Sequence, residues 1–237
     1  MQSVLRAIYP SECLICRDFT DADFALCGPC WRDTPFVGGL VCDACGTPLP
    51  GPDDDEVVHC DDCMRTPRPW SRGRAALAYG ETGRRIVLGL KHGDRTDLVR
   101  PAAAWMAQAA APIVSDDTIL VPVPLHWTRL WRRRYNQSAM LAARIATLLD
   151  RDTCPDALVR ARRTTSLSGT VAARFAAMDG AIRPHPRRGA AMSGRNVILV
   201  DDVMTSGATL SACAGAARDA GARDVAVLLL ARAVRDD

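Results

Sequence analysis

Eight of the ten cysteines fall within residues 13–63 as four C-x-x-C pairs, Cys13/Cys16, Cys27/Cys30, Cys42/Cys45 and Cys60/Cys63. Two thiolates three positions apart grip one tetrahedral ion from a tight turn, and a second pair reached through a short hairpin closes a four-thiolate zinc site. Gaps of 10, 11 and 14 residues separate the pairs. Sequential pairing is the simplest arrangement, with Cys13, Cys16, Cys27 and Cys30 on one Zn²⁺ and Cys42, Cys45, Cys60 and Cys63 on a second; a crossed pairing, or His59 in place of a neighbouring cysteine, stays open. Gly46, directly after Cys45, suits the positive-φ position that follows a zinc knuckle. Four thiolates leave zinc no open position, so this module is expected to be structural or a docking surface. In a module this small, metal binding and folding are coupled.

Two rival chemistries are disfavoured. The opening segment MQSVLRAIYP lacks the long apolar stretch of a secretory signal, and disulfides belong to oxidising compartments. The CGPC tetrapeptide at residues 27–30 is shared with thioredoxin-like redox sites, but those need a preceding strand and a long following helix, and Pro35, Gly38 and Gly39 interrupt the chain too soon. With 48% apolar and 24% charged residues over 237 positions, the chain falls in the globular range. Apolar runs such as 225–231 are far below the roughly 20 residues that span a bilayer, so a cytoplasmic location without membrane insertion is expected.

Charge divides the chain at the same place as the cysteines. The first 70 residues carry 5 arginines against 12 acids, the remainder 25 basic residues against 15 acids. An acidic module therefore precedes a basic one suited to a phosphate-bearing partner. Residues 53–56, all acidic, read as a solvated hairpin tip, and residues 64–70, with two prolines and no periodicity, as a stiff linker. The expected division is a zinc module over 1–66 and a second domain over 74–237, in which Cys154 and Cys213 are expected to be buried thiols.

From residue 74 the pattern alternates. Strands are predicted over 74–80, 118–124, 196–200 and 224–231, and helices over 81–93, 97–111, 138–149 and 209–220. Short apolar strands between amphipathic helices predict an α/β fold, a parallel sheet with helices on both faces. Ligands of such sheets bind beyond the carboxyl ends of the strands. That rule points at Asp201, Asp202 and residues 203–209, which follow the strand NVILV. Gly207 among small residues lets a backbone approach a ligand closely, and free N–H groups with the Thr205, Ser206 and Thr209 hydroxyls suit a phosphate. Asp201 and Asp202 suit ribose hydroxyls and water-bound Mg²⁺. Neither a Walker A loop nor a G-x-G-x-x-G fingerprint is present.

The segment VILVDDVMTSGAT, residues 197–209, resembles the phosphoribosyl pyrophosphate (PRPP) signature of type I phosphoribosyltransferases. The rest of the chain is similar to the ComF family of competence-associated, phosphoribosyltransferase-like proteins with an N-terminal double zinc ribbon. Four cysteine pairs, Trp70 after a proline-rich junction, Leu90-Lys91, PVPLH at 122–126 and an Arg-rich segment ending in Asn136 and Gln137 carry this resemblance. It implies that Asp201 and Asp202 bind the ribose hydroxyls, that Thr205, Ser206, Gly207, Ala208 and Thr209 bind the 5′-phosphate, and that Val123 and Pro124 lie near the pyrophosphate. Lys91 would contact phosphate, and Arg133 would help clamp pyrophosphate within a mobile basic segment that also holds Arg129, Arg132 and Arg134. Arg134 stands where the family pattern has glycine, and Ser168 where it has glutamine, while Arg163, Thr165 and Arg174 fit. The implied function is Mg²⁺-dependent phosphoribosyl transfer from PRPP to an undetermined acceptor, linked to DNA uptake. Its alternatives are a non-catalytic PRPP sensor and a component that binds single-stranded DNA or a competence-protein partner, with Trp127, Trp131 and Tyr135 stacking between arginines.

Overall fold

A computed structural model of the chain describes residues 10–53, 56–92, 95–164 and 170–233. Asp54, Asp55, Gly93, Thr165 and Ser168, on which expectations above rest, lie outside them. The N-terminal region is built from two similar knuckles. In each, the amide four residues after the first cysteine donates back to that cysteine's carbonyl, Arg17 to Cys13 at 3.1 Å and Gly46 to Cys42 at 2.8 Å. Both turn residues are left-handed, with φ of 71°. The second pair of each knuckle opens a short helix, α1 (Gly28–Arg32) after Cys27 and α2 (Asp61–Arg65) after Cys60.

The larger region follows in the order β1 (Arg72–Ala78), α3 (Glu81–His92), α4 (Val99–Ala110), β2 (Thr118–Pro122), α5 (Trp127–Arg133), α6 (Gln137–Leu149), β3 (Asp152–Thr153), β4 (Leu158–Arg160), α7 (Val171–Met178), β5 (Ile182–Pro184), β6 (Asn196–Met204), α8 (Ala208–Asp219) and β7 (Asp224–Arg232). Five strands form one parallel sheet in the order β1-β7-β6-β2-β3, and β4 and β5 form a separate antiparallel pair. Strand alternation sorts the apolar residues onto two faces. Ile198, Val200, Leu228 and Leu230 pack with Leu90, Met106, Leu141 and Ile145 of α3, α4 and α6. Val197, Leu199, Val225 and Val227 face the other way, onto Leu210, Cys213 and Ala217 of α8 and Leu158 and Ile182 of the β4–β5 pair. The expected parallel sheet with helices on both faces is present, and Cys154 and Cys213 are both buried.

The second knuckle completes that second face. Cys42, Cys45, Cys63 and Trp70 belong to the same apolar cluster as Val225 and Val227. The expectation of a plain linker over 64–70 is therefore corrected at its C-terminal end. Trp70 is buried and its indole N–H donates to the Ala44 carbonyl at 2.6 Å, because a large apolar ring with one donor gains most where both needs are met. The knuckles also cover the outer edge of the sheet: Val37 donates to Ala76 at 3.0 Å, Ala78 to Pro35 at 2.8 Å and Gly73 to Asp43 at 2.7 Å. An ion pair of 2.7 Å between Arg74 and Asp43 lies beside them. An open strand edge is an aggregation hazard, and here it is paired.

Two backbones meet at this seam without room for side chains. A Cβ on Gly73 would lie 2.4 Å from the Ala44 carbonyl oxygen, and one on Gly46 2.6 Å from the Ala75 nitrogen. Gly73→Ala is therefore expected to lower unfolding stability by about 2–4 kcal/mol, read by chemical denaturation of the zinc-loaded chain. A loss below about 1 kcal/mol would mean that the two regions separate without cost.

Candidate functional site

The strand that carries the acidic pair is longer than its apolar run. β6 continues through Asp201 and Asp202 to Met204, in register with β7 to Arg232, so both acids are strand residues. Asp202 is buried and fully engaged: Lys91 Nζ lies 3.0 Å from one oxygen and Gln137 Nε2 donates to the other at 2.9 Å. Asp201 accepts at Oδ1 from Ser138 Oγ at 3.0 Å and from the Asp202 amide at 2.9 Å. Its Oδ2 has no hydrogen-bond partner among the described residues. Burial, and then the neighbouring Asp202 charge, push the Asp201 carboxyl up to about 7. The pair thus holds more negative charge than Lys91 neutralises.

The surrounding elements converge for local reasons. Lys91 sits in the last turn of α3, where a cation suits the helix dipole. Asn136 caps α6 by accepting from the Ser138 amide at 3.0 Å, and its own amide donates to the Val123 carbonyl at 3.1 Å. Gln137 and Ser138 consequently stand at the first turn of α6, under the carboxylates. Val123 donates to the Val200 carbonyl at 2.9 Å, which sets the 123–124 turn beside the end of β6. Arg133 approaches Gln137 Oε1 at 3.5 Å. Burial, opposed by Asp202, lowers its basicity, and Arg129 and Arg132 lower it further. His92 is likewise lowered, first by burial and then by Arg133, Lys91 and Arg132, which marks one crowded basic rim.

Thr205, Ser206 and Gly207 form the turn from β6 into α8. Gly207 has φ of 82° and no side chain to block the helix N-terminus, while Ala208 and Thr209 are already helical. A small cavity of about 40 Å³ is lined by Asp201 and residues 203–210. The amides of Thr205, Ser206 and Gly207 have no backbone acceptor among the described residues. A turn of this kind is suited to an anion.

The basic segment differs from its expectation. Residues 127–133 are a helix, α5, capped by His126, whose Nδ1 accepts from the Thr128 amide at 3.3 Å. Arg134 closes it in the left-handed conformation, φ 65°, which is the geometry a glycine at that position supplies freely. Trp131 is 86% and Trp127 68% exposed. Tyr135 turns inward, its hydroxyl donating to the Leu90 carbonyl at 2.8 Å. Sequence reasoning passed over Ser138 and Arg160; the latter is a β4 arginine whose basicity is lowered by burial and then by Arg129. Neither has a motif of its own.

The cysteines sort into the two sequential sets. Cys13, Cys16, Cys27 and Cys30 have their sulfurs within 4.8 Å of one another, and so do Cys42, Cys45, Cys60 and Cys63, whereas His59 belongs to neither. Separations of 3.4 Å for Cys16–Cys27 and 3.7 Å for Cys45–Cys60 are near the roughly 3.8 Å edge of a tetrahedron with 2.3 Å zinc–sulfur bonds. The donor sets fit Zn²⁺. Donors already face the thiolates: Ile15 N to Cys13 at 3.4 Å, Thr47 Oγ1 beside Cys45 at 3.0 Å and Arg68 Nε to Cys63 at 3.4 Å.

Residues 4–64 match the double zinc ribbon domain family. DNA utilization protein YhgH of Escherichia coli K12 is 26% identical over 94% of this chain and 97% of its own length. Competence protein F of Haemophilus influenzae is also 26% identical, with the same coverage. The chain is a homologue of both. This bears out the ComF resemblance. Among solved structures, a hypoxanthine phosphoribosyltransferase from Staphylococcus aureus overlaps 65% of this chain and 76% of its own at 11% identity, with a TM-score of 0.35. Among the described residues no helix of this homologue is long and apolar enough to cross a membrane.

Metal analysis of the purified homologue is expected to give two zinc ions per chain. Cys45→Ser, in the set that is built into the core, is expected to abolish cooperative folding. Cys16→Ser, at an exposed position, is expected to release one zinc and leave the sheet intact by circular dichroism; a single zinc in the unaltered chain would contradict the paired arrangement.

Proposed function

We propose that the chain binds PRPP at the end of β6 and transfers its phosphoribosyl group. The observation that carries this reading is the convergence of Lys91, Gln137 and Ser138 on Asp201 and Asp202, next to a Gly207 turn that opens α8. In this reading residues 205–209 hold the 5′-phosphate and the acidic pair the ribose hydroxyls. The 123–124 turn, Lys91 and Arg133 lie along the pyrophosphate. The open oxygen and raised carboxyl of Asp201 fit a hard cation such as Mg²⁺, whereas both oxygens of Asp202 are occupied. Bound there with PRPP, Mg²⁺ would supply charge neutralisation of the pyrophosphate.

The chemistry needs no protein nucleophile. The C1′–O bond breaks and its electron pair leaves with pyrophosphate. A nitrogen lone pair of the acceptor then forms the new bond at an oxocarbenium-like C1′. Lys91 and Arg133 oppose the charge that develops on the leaving group, and the loop amides hold the far phosphate in place, so catalysis rests on positioning and electrostatics. The names of the relatives, a DNA utilization protein and a competence protein, support a role in DNA uptake, with residues 1–66 forming the wall against which 74–237 is organised.

Calorimetric titration of the zinc-loaded chain with PRPP tests the site. Binding is expected to require Mg²⁺ and to weaken at least about 10-fold in Asp201→Asn and in Asp202→Asn, the scale of one charge-assisted contact. No binding by the unaltered chain, or affinity in both variants unchanged from that of the unaltered chain, would overturn the proposal.

A second reading is favoured by α5. Trp127 and Trp131 project beside Arg129 and Arg132 with no acid in the helix, an arrangement that stacks bases and neutralises phosphates. Single-stranded DNA is expected to bind with an affinity that falls steeply with salt and drops about 10-fold in Trp131→Ala, read by fluorescence anisotropy. Salt-independent or absent binding would remove this reading and leave the PRPP site standing.

A further inference from the structure

The phosphate-side turn is held from behind by two arginines, and both stand at the second zinc set. Arg68 reaches in two directions: its Nε donates to Cys63 Sγ at 3.4 Å and its Nη1 to the Ser206 carbonyl at 2.8 Å. The same side chain lies 5.8 Å above the Trp70 ring. Arg232, at the end of β7, is almost completely buried. Its Nη1 donates to the Met204 carbonyl at 3.3 Å and the Thr205 carbonyl at 3.2 Å, and its Nη2 lies 3.7 Å from Asp62 of α2. It is also within electrostatic reach of Cys45. Three consecutive carbonyls, 204 to 206, therefore face guanidinium groups on the ribbon side.

Peptide planes tied by their carbonyls on one side present their amides elsewhere. The amides of Thr205, Ser206 and Gly207 are the ones without backbone acceptors, and α2 and the turn line one cleft of about 220 Å³ that includes Arg65, Thr66, Arg68, Thr205 and Ser206. A guanidinium is a rigid fork, so Arg68 can hold a sulfur and a carbonyl at once only while the two keep their spacing. A metal held by all four cysteines fixes the position of Cys63 Sγ, and with it one end of the span that Arg68 bridges. Gly207 completes the seam: a Cβ there would stand 3.0 Å from Arg68 Nη1 and 3.3 Å from the Trp70 ring.

We infer that Arg68 and Arg232 are positioning residues which couple occupancy of the Cys42/Cys45/Cys60/Cys63 zinc site to the shape of the 204–207 turn. The zinc ribbon then sets the affinity of the turn for its anion, and loss of the second zinc to a chelator switches that affinity down. The first zinc set carries no such link among the described residues. The inference rests on the phosphate-binding reading for its consequence, and on geometry alone for the coupling itself.

The test uses the full, zinc-loaded chain and reads hydrogen exchange of residues 203–210, which needs no ligand. In Arg68→Gln with two zincs retained, exchange of this segment is expected to rise at least about 10-fold, as when a charge-assisted hydrogen bond is lost, while β7 amides keep their protection. Arg68→Lys, which reaches one partner but not both, is expected to recover part of it. In the unaltered chain, timed removal of zinc by a chelator is expected to raise exchange of 203–210 in step with release of the second zinc and before β7 opens; this arm decides the matter if Arg68→Gln sheds its metal. Unchanged exchange in both arms would overturn the inference. PRPP affinity is then measured: an unaltered chain that fails to bind PRPP overturns the proposed function, whereas binding that is equal in Arg68→Gln and the unaltered chain overturns the link between zinc and anion.

Discussion

A parallel sheet must be covered on both faces and at its exposed edge, and in this chain the zinc ribbon provides part of that cover. Three helices shield one face of the sheet, while the other is shared between α8, the small antiparallel pair and the second knuckle. Two glycines allow the knuckle backbone to lie directly on β1, and the first knuckle's exit strand pairs with the free edge of β1. The metal sites are thereby bound into the domain. A structural zinc contributes on the order of 10 kcal/mol to the folding of such a module, and here that energy also holds the wall of a larger core.

The same constraint arranges the site. β6 lies between β7 and β2, so the acidic pair at its end is surrounded by the ends of neighbouring elements. Lys91, Gln137 and Ser138 arrive from helices that pack on the all-helical face, whereas Arg68 and Arg232 arrive from the ribbon face. The carboxylates receive Lys91 and their side-chain donors from one side of the sheet, and the 204–207 turn is held by arginines from the other. The Asp201–Asp202 pair, crowded and buried enough to push the Asp201 carboxyl up, lies beside a basic rim formed by Arg129, Arg132 and Arg133.

Much of this was legible in the residues. The runs at 118–124 and 196–200 announced buried strands because parallel strands covered on both faces need apolar residues at every position. The amphipathic stretch at 138–149 gave α6 through its helical spacing, and the even C-x-x-C pairs gave the two metal sets. Other features were not legible. β6 runs four residues past its apolar segment because its pairing with β7 continues beneath the carboxylates, which no local propensity for aspartate would suggest. Arg134 adopts a left-handed turn without glycine, closing α5 two residues before the Asn136 cap of α6. Trp70 and Arg68 read as linker residues until the partners 26 and 138 positions away are brought to them.

The sequence by itself determined the metal chemistry, the alternation of strand and helix, and the acidic and small-residue segment at the end of one strand. These properties depend on spacing along the chain, which a one-dimensional reading measures directly. Tertiary structure decided which cation meets which carboxylate, that the ribbon completes the sheet, and that the carbonyls of the 204–206 turn face arginines beside a zinc thiolate. Those are contacts between residues far apart in the chain, and they are set by which faces must be buried and which buried polar groups must find partners.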